Sequence, residues 1–182
     1  MLAARRSISV VAIVFGAAAL AACGEIDPFD STPTSEQLRQ RPADVNDADV
    51  EFVREMIAHV RRGQVLTDAA LDSDNDAGDT VSAIAGRIKN QDRGTLLMMS
   101  EMLDDWGEPA AEATAPEPRD ELGGLTGEEF DERWKVLMLE HHARAVAIAE
   151  NVQLDGSNRS VNNLASGMLV DLGFEMSTLD SD

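Results

Sequence analysis

The chain has little of several residue types, and each shortage excludes a class of protein. It contains no tyrosine and one cysteine, so no internal disulfide can form and stability must come from packing. Only 15 lysine and arginine residues accompany 34 aspartate and glutamate residues, for a net charge of −19. Such a surface repels nucleic acid, and we predict no partner of that kind. A nucleophile turn and a phosphate-binding glycine loop are also missing, so we predict that the protein is not an enzyme.

Long apolar runs are confined to the N-terminus. Arg5 and Arg6 precede an apolar stretch at residues 8–20, a pattern typical of a secretion signal. The sequence Leu-Ala-Ala-Cys, which ends at Cys23, resembles a bacterial lipobox, in which the cysteine is lipidated and becomes the new N-terminus. We therefore predict a lipoprotein signal peptide at residues 1–22. The mature protein is expected to be extracytoplasmic and anchored to the cell membrane by its lipid.

Turn-forming residues divide the rest of the chain. Residues 23–45 are rich in Asp, Pro, Ser and Thr, and we predict a flexible tether there. Residues 46–182 form the predicted domain, an all-α four-helix bundle of two hairpins, 46–106 and 126–179, joined by a linker at 107–125. The predicted helices run from about 46 to 71, 80 to 106, 127 to 152 and 159 to 179. Thr126 and Glu129 have the spacing of a capping box at the start of the third helix.

A Met-x-x-His motif occurs twice, 82 residues apart. Both copies have an aromatic residue, a methionine, a histidine and a small residue at the same spacing: Phe52, Met56, His59 and Gly63, then Trp134, Met138, His141 and Ala145. These positions share one face of a helix. We therefore predict a duplicated helical hairpin whose two motif-bearing faces meet inside the bundle.

Thioether sulfur and imidazole nitrogen together favour copper, especially Cu(I), over hard cations. The predicted ligands are Met138, His141 and His142 on the third helix and Met56 and His59 on the first. Val60 stands where a second histidine of the first copy would be, so we predict a single metal site centred on the third helix. Binding is expected to weaken below about pH 6, because a protonated imidazole cannot coordinate a metal.

Two other interpretations remain open. In one, the protein is an envelope scaffold or protein-interaction lipoprotein, and the methionines and histidines simply pack, as methionines at helical spacing commonly do. In the other, it has a redox or oxidase role. A di-iron oxidase requires Glu-x-x-His pairs, whereas Glu55 precedes His59 by four residues and Glu140 is adjacent to His141. The oxidase class is therefore disfavoured.

The order of these residues resembles the family called domain of unknown function 305. Its members carry an aromatic residue, a methionine four positions later, and then two further residues, a His-His pair and a small residue. The likeness covers about residues 46–106 and 126–179, and Gln91, Met98 and Trp106 match its later helix. The resemblance implies a ferritin-like fold and, for some members, periplasmic copper binding.

The chain departs from this family pattern at three positions. Val60 replaces the second histidine of the first copy, and Gly94 and Phe174 stand where the pattern has glutamate. Glu175 is one residue from the second of these positions. The departures indicate that the first copy of the site is degraded.

Overall fold

The computed structural model describes residues 41–111 and 121–181. These residues form four helices and no strand: α1 (Asp47–Ala70), α2 (Asp79–Asp105), α3 (Gly127–Asp155) and α4 (Arg159–Ser181), with one 3-10 turn (Ser73–Asn75) between α1 and α2. The predicted all-α four-helix bundle is confirmed. Helical periodicity predicts the four helices well, because turn-forming residues mark the ends of each one.

The predicted signal peptide, Cys23 and residues 24–40 of the predicted tether lie outside the described residues, as do residues 112–120 of the predicted linker. At the described end of the tether, Val45 is buried in the core and Arg41 pairs with Asp47 and Glu108. No helix in the described parts of the chain is both long and apolar enough to cross a bilayer.

Helices α1 and α3 run antiparallel at the centre of the bundle. Near one end of this contact the indole Nε1 of Trp134 donates to the carbonyl oxygen of Leu66 at 2.8 Å, and at its middle the rings of His59 and His141 stack. Helix α2 packs mainly on α1, and α4 mainly on α3. Contacts between α2 and α4 are sparse, so an opening is left between them.

Two apolar clusters fill the interior. One contains Phe52, Met56 and Trp106, and the other contains Trp134 and Met138. Along the helices, a layer of buried polar side chains separates these clusters: His59, His141, His142 and Glu175. A polar layer is costly to bury in an apolar core, which makes it the first place to look for a site.

In each hairpin, a carboxylate accepts hydrogen bonds from the start of a helix in the other hairpin. The buried Asp49 on α1 accepts from the backbone N–H groups of Ser157 and Asn158, at 3.2 and 3.0 Å, at the start of α4. Asp131, 82 residues after Asp49, accepts at 3.1 Å from the backbone N–H of Gly78, at the start of α2. The two hairpins are therefore linked by hydrogen bonds of the same kind, made by aspartates at corresponding positions.

The predicted capping box at Thr126 and Glu129 does not form. Thr126 precedes α3, but its side chain makes no capping hydrogen bond. Gly127 has φ +60°, outside the helical range, so the regular helical geometry on which a capping box depends is absent at this start. A capping box forms instead at α1, where Asn46 and Asp49 exchange side-chain and backbone hydrogen bonds.

Candidate metal centre

A cavity of about 530 Å³ opens between α2 and α4 and extends to the centre of the bundle. All four helices line it. Its wall includes every histidine of the chain and half of the methionines: His59, His141, His142, Met56, Met98, Met138 and Met168. The fold thus brings the five residues predicted from the repeated motif to one cavity and adds two further thioethers.

The three imidazoles are buried and lie close together. The rings of His59 and His141 stack with centroids 3.8 Å apart and planes 11° from parallel, and the centroid of His142 lies 6.0 Å from that of His141. Adjacent helical residues point about 100° apart, and both rings are buried because each faces a different helix. His141 stacks on His59 of α1, and His142 lies beside Glu175 of α4.

Burial keeps two of the imidazoles uncharged. It lowers the pKa of His59 to about 4 and that of His141 to about 2, and the charges of Arg62 and Arg144 act in the same direction. Both rings are therefore neutral at pH 7 and carry a nitrogen lone pair. The onset of proton competition at these two rings lies well below the pH 6 expected from the sequence.

A buried ring nitrogen of His59 lacks a hydrogen-bond partner. Nε2 of His59 is buried and has no hydrogen-bond partner among the residues that the structure describes. A buried polar atom without a partner costs about 1–3 kcal/mol. Coordination of a metal ion would satisfy this nitrogen, so the site fits a metal that accepts imidazole donors.

A glycine makes room for the stacked rings. A Cβ atom at position 63 would lie 2.4 Å from Nε2 of His141, closer than the two atoms can approach. Gly63 follows His59 by one helical turn, where the second copy of the motif has Ala145. On α1, the small residue of the motif is therefore glycine because the His141 ring approaches so closely.

The stacked orientation of the two imidazole rings restricts how they can bind an ion. Imidazole lone pairs lie in the ring plane, so the nearly parallel rings of His59 and His141 must rotate relative to each other before both can bind one ion. Within the described ranges, no three His, Cys, Asp or Glu side chains are arranged to hold a metal. A bound ion would therefore need thioether ligands as well, and thioethers select soft ions.

The structure separates the methionines of α2. Met98 lines the cavity, Met99 is fully buried in the core, and Met102 packs against the core. Met98 and Met99 are adjacent and point in different directions, so the three methionines do not all face the cavity.

Asp92, Met168 and Glu175 are among the cavity residues that the sequence did not assign to the site. Met168, Leu172 and Glu175 have the spacing i, i+4 and i+7, so the shared face was readable once α4 was placed. Burial and the neighbouring charge of Glu175 raise the pKa of Asp92 to about 7. Asp92 and Glu175 thus bring carboxyl groups to the cavity that the imidazoles line.

The family position occupied by Phe174 faces away from the site. The Phe174 side chain is 65% exposed, and the Arg87 guanidinium lies 5.7 Å from its ring centroid. Glu175 is buried, and its Oε2 lies 3.1 Å from Nε2 of His142. The glutamate that lines the cavity therefore stands at position 175, one residue after the position at which the family has glutamate.

Fold and cavity together define a four-helix bundle with soft donors at its centre. The chain belongs to the DUF305 family, a domain of unknown function, whose sequence profile matches residues 49–181. No curated protein shows significant sequence similarity to the chain.

Several solved structures share the fold. CopM in its Cu(I)-bound form has a TM-score of 0.65 and 19% identity, over 73% of this chain and 93% of CopM. A DUF305 fragment from Deinococcus radiodurans has a TM-score of 0.65 and 25% identity, over 75% of this chain and 95% of the fragment. A DUF305 protein from Streptomyces coelicolor has a TM-score of 0.65 and 23% identity, over 72% and 89%.

Proposed function

We propose that this protein is a lipid-anchored extracytoplasmic copper-binding protein that buffers the ion or passes it on without catalysing a reaction. The observation that carries the proposal is the convergence of three imidazoles and four thioethers on one cavity. Packing of methionines in a core does not account for the three histidines that lie beside them. The unpartnered Nε2 of His59 is difficult to explain by packing alone.

The proposed ligands are those of the repeated motif, Met56, His59, Met138, His141 and His142. Met98 and Met168 lie on the same cavity wall and offer further sulfur atoms. Thioether sulfur is a soft donor and imidazole a borderline one, and together they favour Cu(I). The protein's contribution is to hold these neutral donors close together and to shield the ion from water.

The solved relatives support this proposal. CopM has been solved with Cu(I), Cu(II) and silver bound. Silver and Cu(I) are both soft monovalent ions, the type of ion that the thioethers of this cavity favour. At 17–19% identity the likeness is one of fold, so the metal is proposed for this chain from its own donors.

The anchor and the location are proposed from the N-terminal sequence. The positive residues, the apolar stretch and the lipobox-like sequence that ends at Cys23 are the features that support them. A lipid on Cys23 would keep the bundle at the outer surface of the membrane that it crossed during export.

The test is a Cu(I) titration of residues 24–182 against a chromogenic Cu(I) chelator. Replacing Met56 and Met138 together by leucine removes both sulfur atoms and nearly preserves side-chain volume. We expect affinity to fall at least about 100-fold, beyond the range typical of residues that only support a ligand. Met176→Leu, on α4 but away from the cavity wall, is the matched control and should leave affinity unchanged.

A second variant addresses the nitrogen donors. His141→Ala combined with His142→Ala should also lower Cu(I) affinity by at least about 100-fold. Equal affinity in the wild-type chain and both double variants would refute the copper site. Purified wild-type protein that neither carries nor takes up metal would instead favour the envelope scaffold.

A further inference from the structure

The buried carboxylate Glu175 lies against a predicted copper ligand. Its Oε2 is 3.1 Å from Nε2 of His142, and both side chains are more than nine-tenths buried. The angles do not satisfy those of a hydrogen bond, so Nε2 of His142 has no hydrogen-bond partner among the residues placed by the structure. A small ring rotation would complete a hydrogen bond between the two groups. An acid buried this deeply needs a partner.

We propose that Glu175 is a positioning residue that orients the His142 ring through Nε2 and supplies the negative charge that balances a cation in the cavity. The inference rests on the proposed copper-binding function, which it deepens. A carboxylate can only accept a hydrogen bond, so it favours the His142 tautomer with the proton on Nε2. That tautomer leaves the lone pair on Nδ1, the nitrogen that would then bind the metal.

Charge balance is the second part of the argument. Thioethers and imidazoles are uncharged as ligands, so they bring no negative charge to a bound ion. A positive ion at the centre of the bundle has lost most of its water and requires compensation. Among the described residues, three carboxyl groups line the cavity. Asp171 is exposed and accepts from Nε2 of Gln91, and Asp92 is partly exposed, whereas Glu175 is buried beside a ligand.

The two halves of the bundle provide an internal comparison. Helices α1 and α3 correspond at an offset of 82 residues, whereas α2 and α4 correspond at an offset of 80, as buried residues of the same type show: Val81 and Val161, Ala85 and Ala165. By these offsets His142 corresponds to Val60, and Glu175 corresponds to Thr95. All four line the cavity. The imidazole and the carboxylate are therefore present together in one half and absent together in the other, as expected of a pair that acts as one unit.

The experiment compares Glu175→Gln with the wild-type full chain, using Cu(I) and Cu(II) as separate probes. Electrostatic attraction scales with the charge of the ion, so a loss of about tenfold for Cu(I) should become about 100-fold for Cu(II). Asp180→Asn, which removes an exposed carboxylate of the same helix away from the cavity wall, should change either affinity by less than about threefold. Glu175→Asp keeps the charge and should recover part of the Cu(II) affinity.

A readout without copper tests the orienting role. In the metal-free wild-type chain, the imidazole ¹⁵N chemical shifts of His142 should report a proton on Nε2. Glu175→Gln should give a mixture of tautomers, because an amide can donate or accept. The thermal unfolding midpoint of each variant shows whether the fold is kept.

The outcomes separate the two proposals. Unchanged tautomer and unchanged affinity for both ions in Glu175→Gln would overturn the inference, while wild-type copper binding would stand. Equal losses for Cu(I) and Cu(II) would overturn the charge-balancing role. A wild-type chain that binds neither ion would refute the copper function, and the ¹⁵N measurement would still decide whether Glu175 orients His142.

Discussion

At the scale of single residues, the burial of neutral imidazoles governs the chemistry of this cavity. His59 and His141 stack in the apolar centre of the bundle, where the charged form of either ring would lack solvation. A protein that keeps these rings deprotonated has donors ready for a metal at any pH near neutrality. The same burial makes the fold sensitive to acid.

We expect the metal-free protein to lose stability as the pH falls from about 6.5 toward 4. The pKa of His59 is lowered from 6.5 to about 4 and that of His141 to about 2. The unfolded chain therefore binds more protons in this window, and each ring removes up to about 1.4 kcal/mol of stability per pH unit. Asp92 acts in the opposite sense, because its raised pKa lets the folded protein bind a proton.

Urea unfolding at several pH values between 6.5 and 4 measures this dependence. His141→Gln should make it shallower, because one buried titrating ring is gone. Asp92→Asn should make it steeper, because the opposing contribution is removed. An unaltered slope in His141→Gln would contradict this account of acid sensitivity.

Gly63→Ala tests the space in which the rings stack. In a helix, alanine is more favourable than glycine by about 1 kcal/mol, but here the new Cβ meets the ring of His141 and forces it to move. We expect no gain in stability and a fall of about tenfold in Cu(I) affinity, comparable to the loss of a ligand-supporting residue.

Gly86→Ala on α2 is the matched control, since a Cβ there meets no atom within 4 Å. It should raise the unfolding midpoint by about 2–4 °C, as expected for a gain of about 1 kcal/mol, and should leave copper affinity unchanged. Equal stabilisation by both substitutions would show that the ring of His141 does not occupy this position.

At the scale of helices, the reciprocal bonds from Asp49 and Asp131 set how the two hairpins dock. Each carboxylate accepts from the backbone N–H of residues just before a helix, where free donors and the helix dipole both favour negative charge. This docking fixes the positions of α2 and α4 over α1 and α3, and hence the opening between them.

We expect Asp49→Asn to destabilise the fold by about 2 kcal/mol, because the amide cannot replace all hydrogen bonds of a buried carboxylate. Asp131→Asn, with fewer bonds and partial exposure, should cost about 1 kcal/mol. Asp47→Asn in the exposed first turn of α1 is the control and should cost less than about 0.5 kcal/mol. Chemical denaturation measures the free energy of unfolding of the three variants. Equal losses of stability at positions 47 and 49 would contradict the proposed docking role.

At the scale of the whole molecule, the acidic charge and the proposed N-terminal anchor bear on where the bundle acts. The net charge of −19 keeps the protein soluble and attracts cations toward its surface. The proposed copper selectivity would depend on the neutral donors of the cavity, since surface charge does not distinguish copper from other cations.

Replacement of the lipobox-like cysteine tests the anchor. In cells that express the full chain, Cys23→Ser should abolish incorporation of labelled fatty acid and move the protein from the membrane fraction to the soluble fraction. Cu(I) affinity should not change, because Cys23 is no part of the proposed site. Fatty-acid labelling that persists in Cys23→Ser would disprove lipidation at this residue.

Much of the fold was predictable because helical periodicity is a local property. Apolar spacing and turn residues placed all four helices, and the repeated motif indicated which faces of α1 and α3 carry the histidines. Glu175, Met168 and Asp92 were not predicted, because they belong to helices that carry no copy of the motif. Their relation to the histidines depends on how α2 and α4 pack.

Local physics in the amino-acid sequence determined the helices, their approximate bounds and the soft donors shared by α1 and α3. Only the tertiary structure decided that His59 and His141 stack against Gly63, that Glu175 rather than position 174 faces His142, and that a cavity opens between α2 and α4. These relations join residues far apart in the chain. They depend on the rotation and docking of whole helices, which no local pattern specifies.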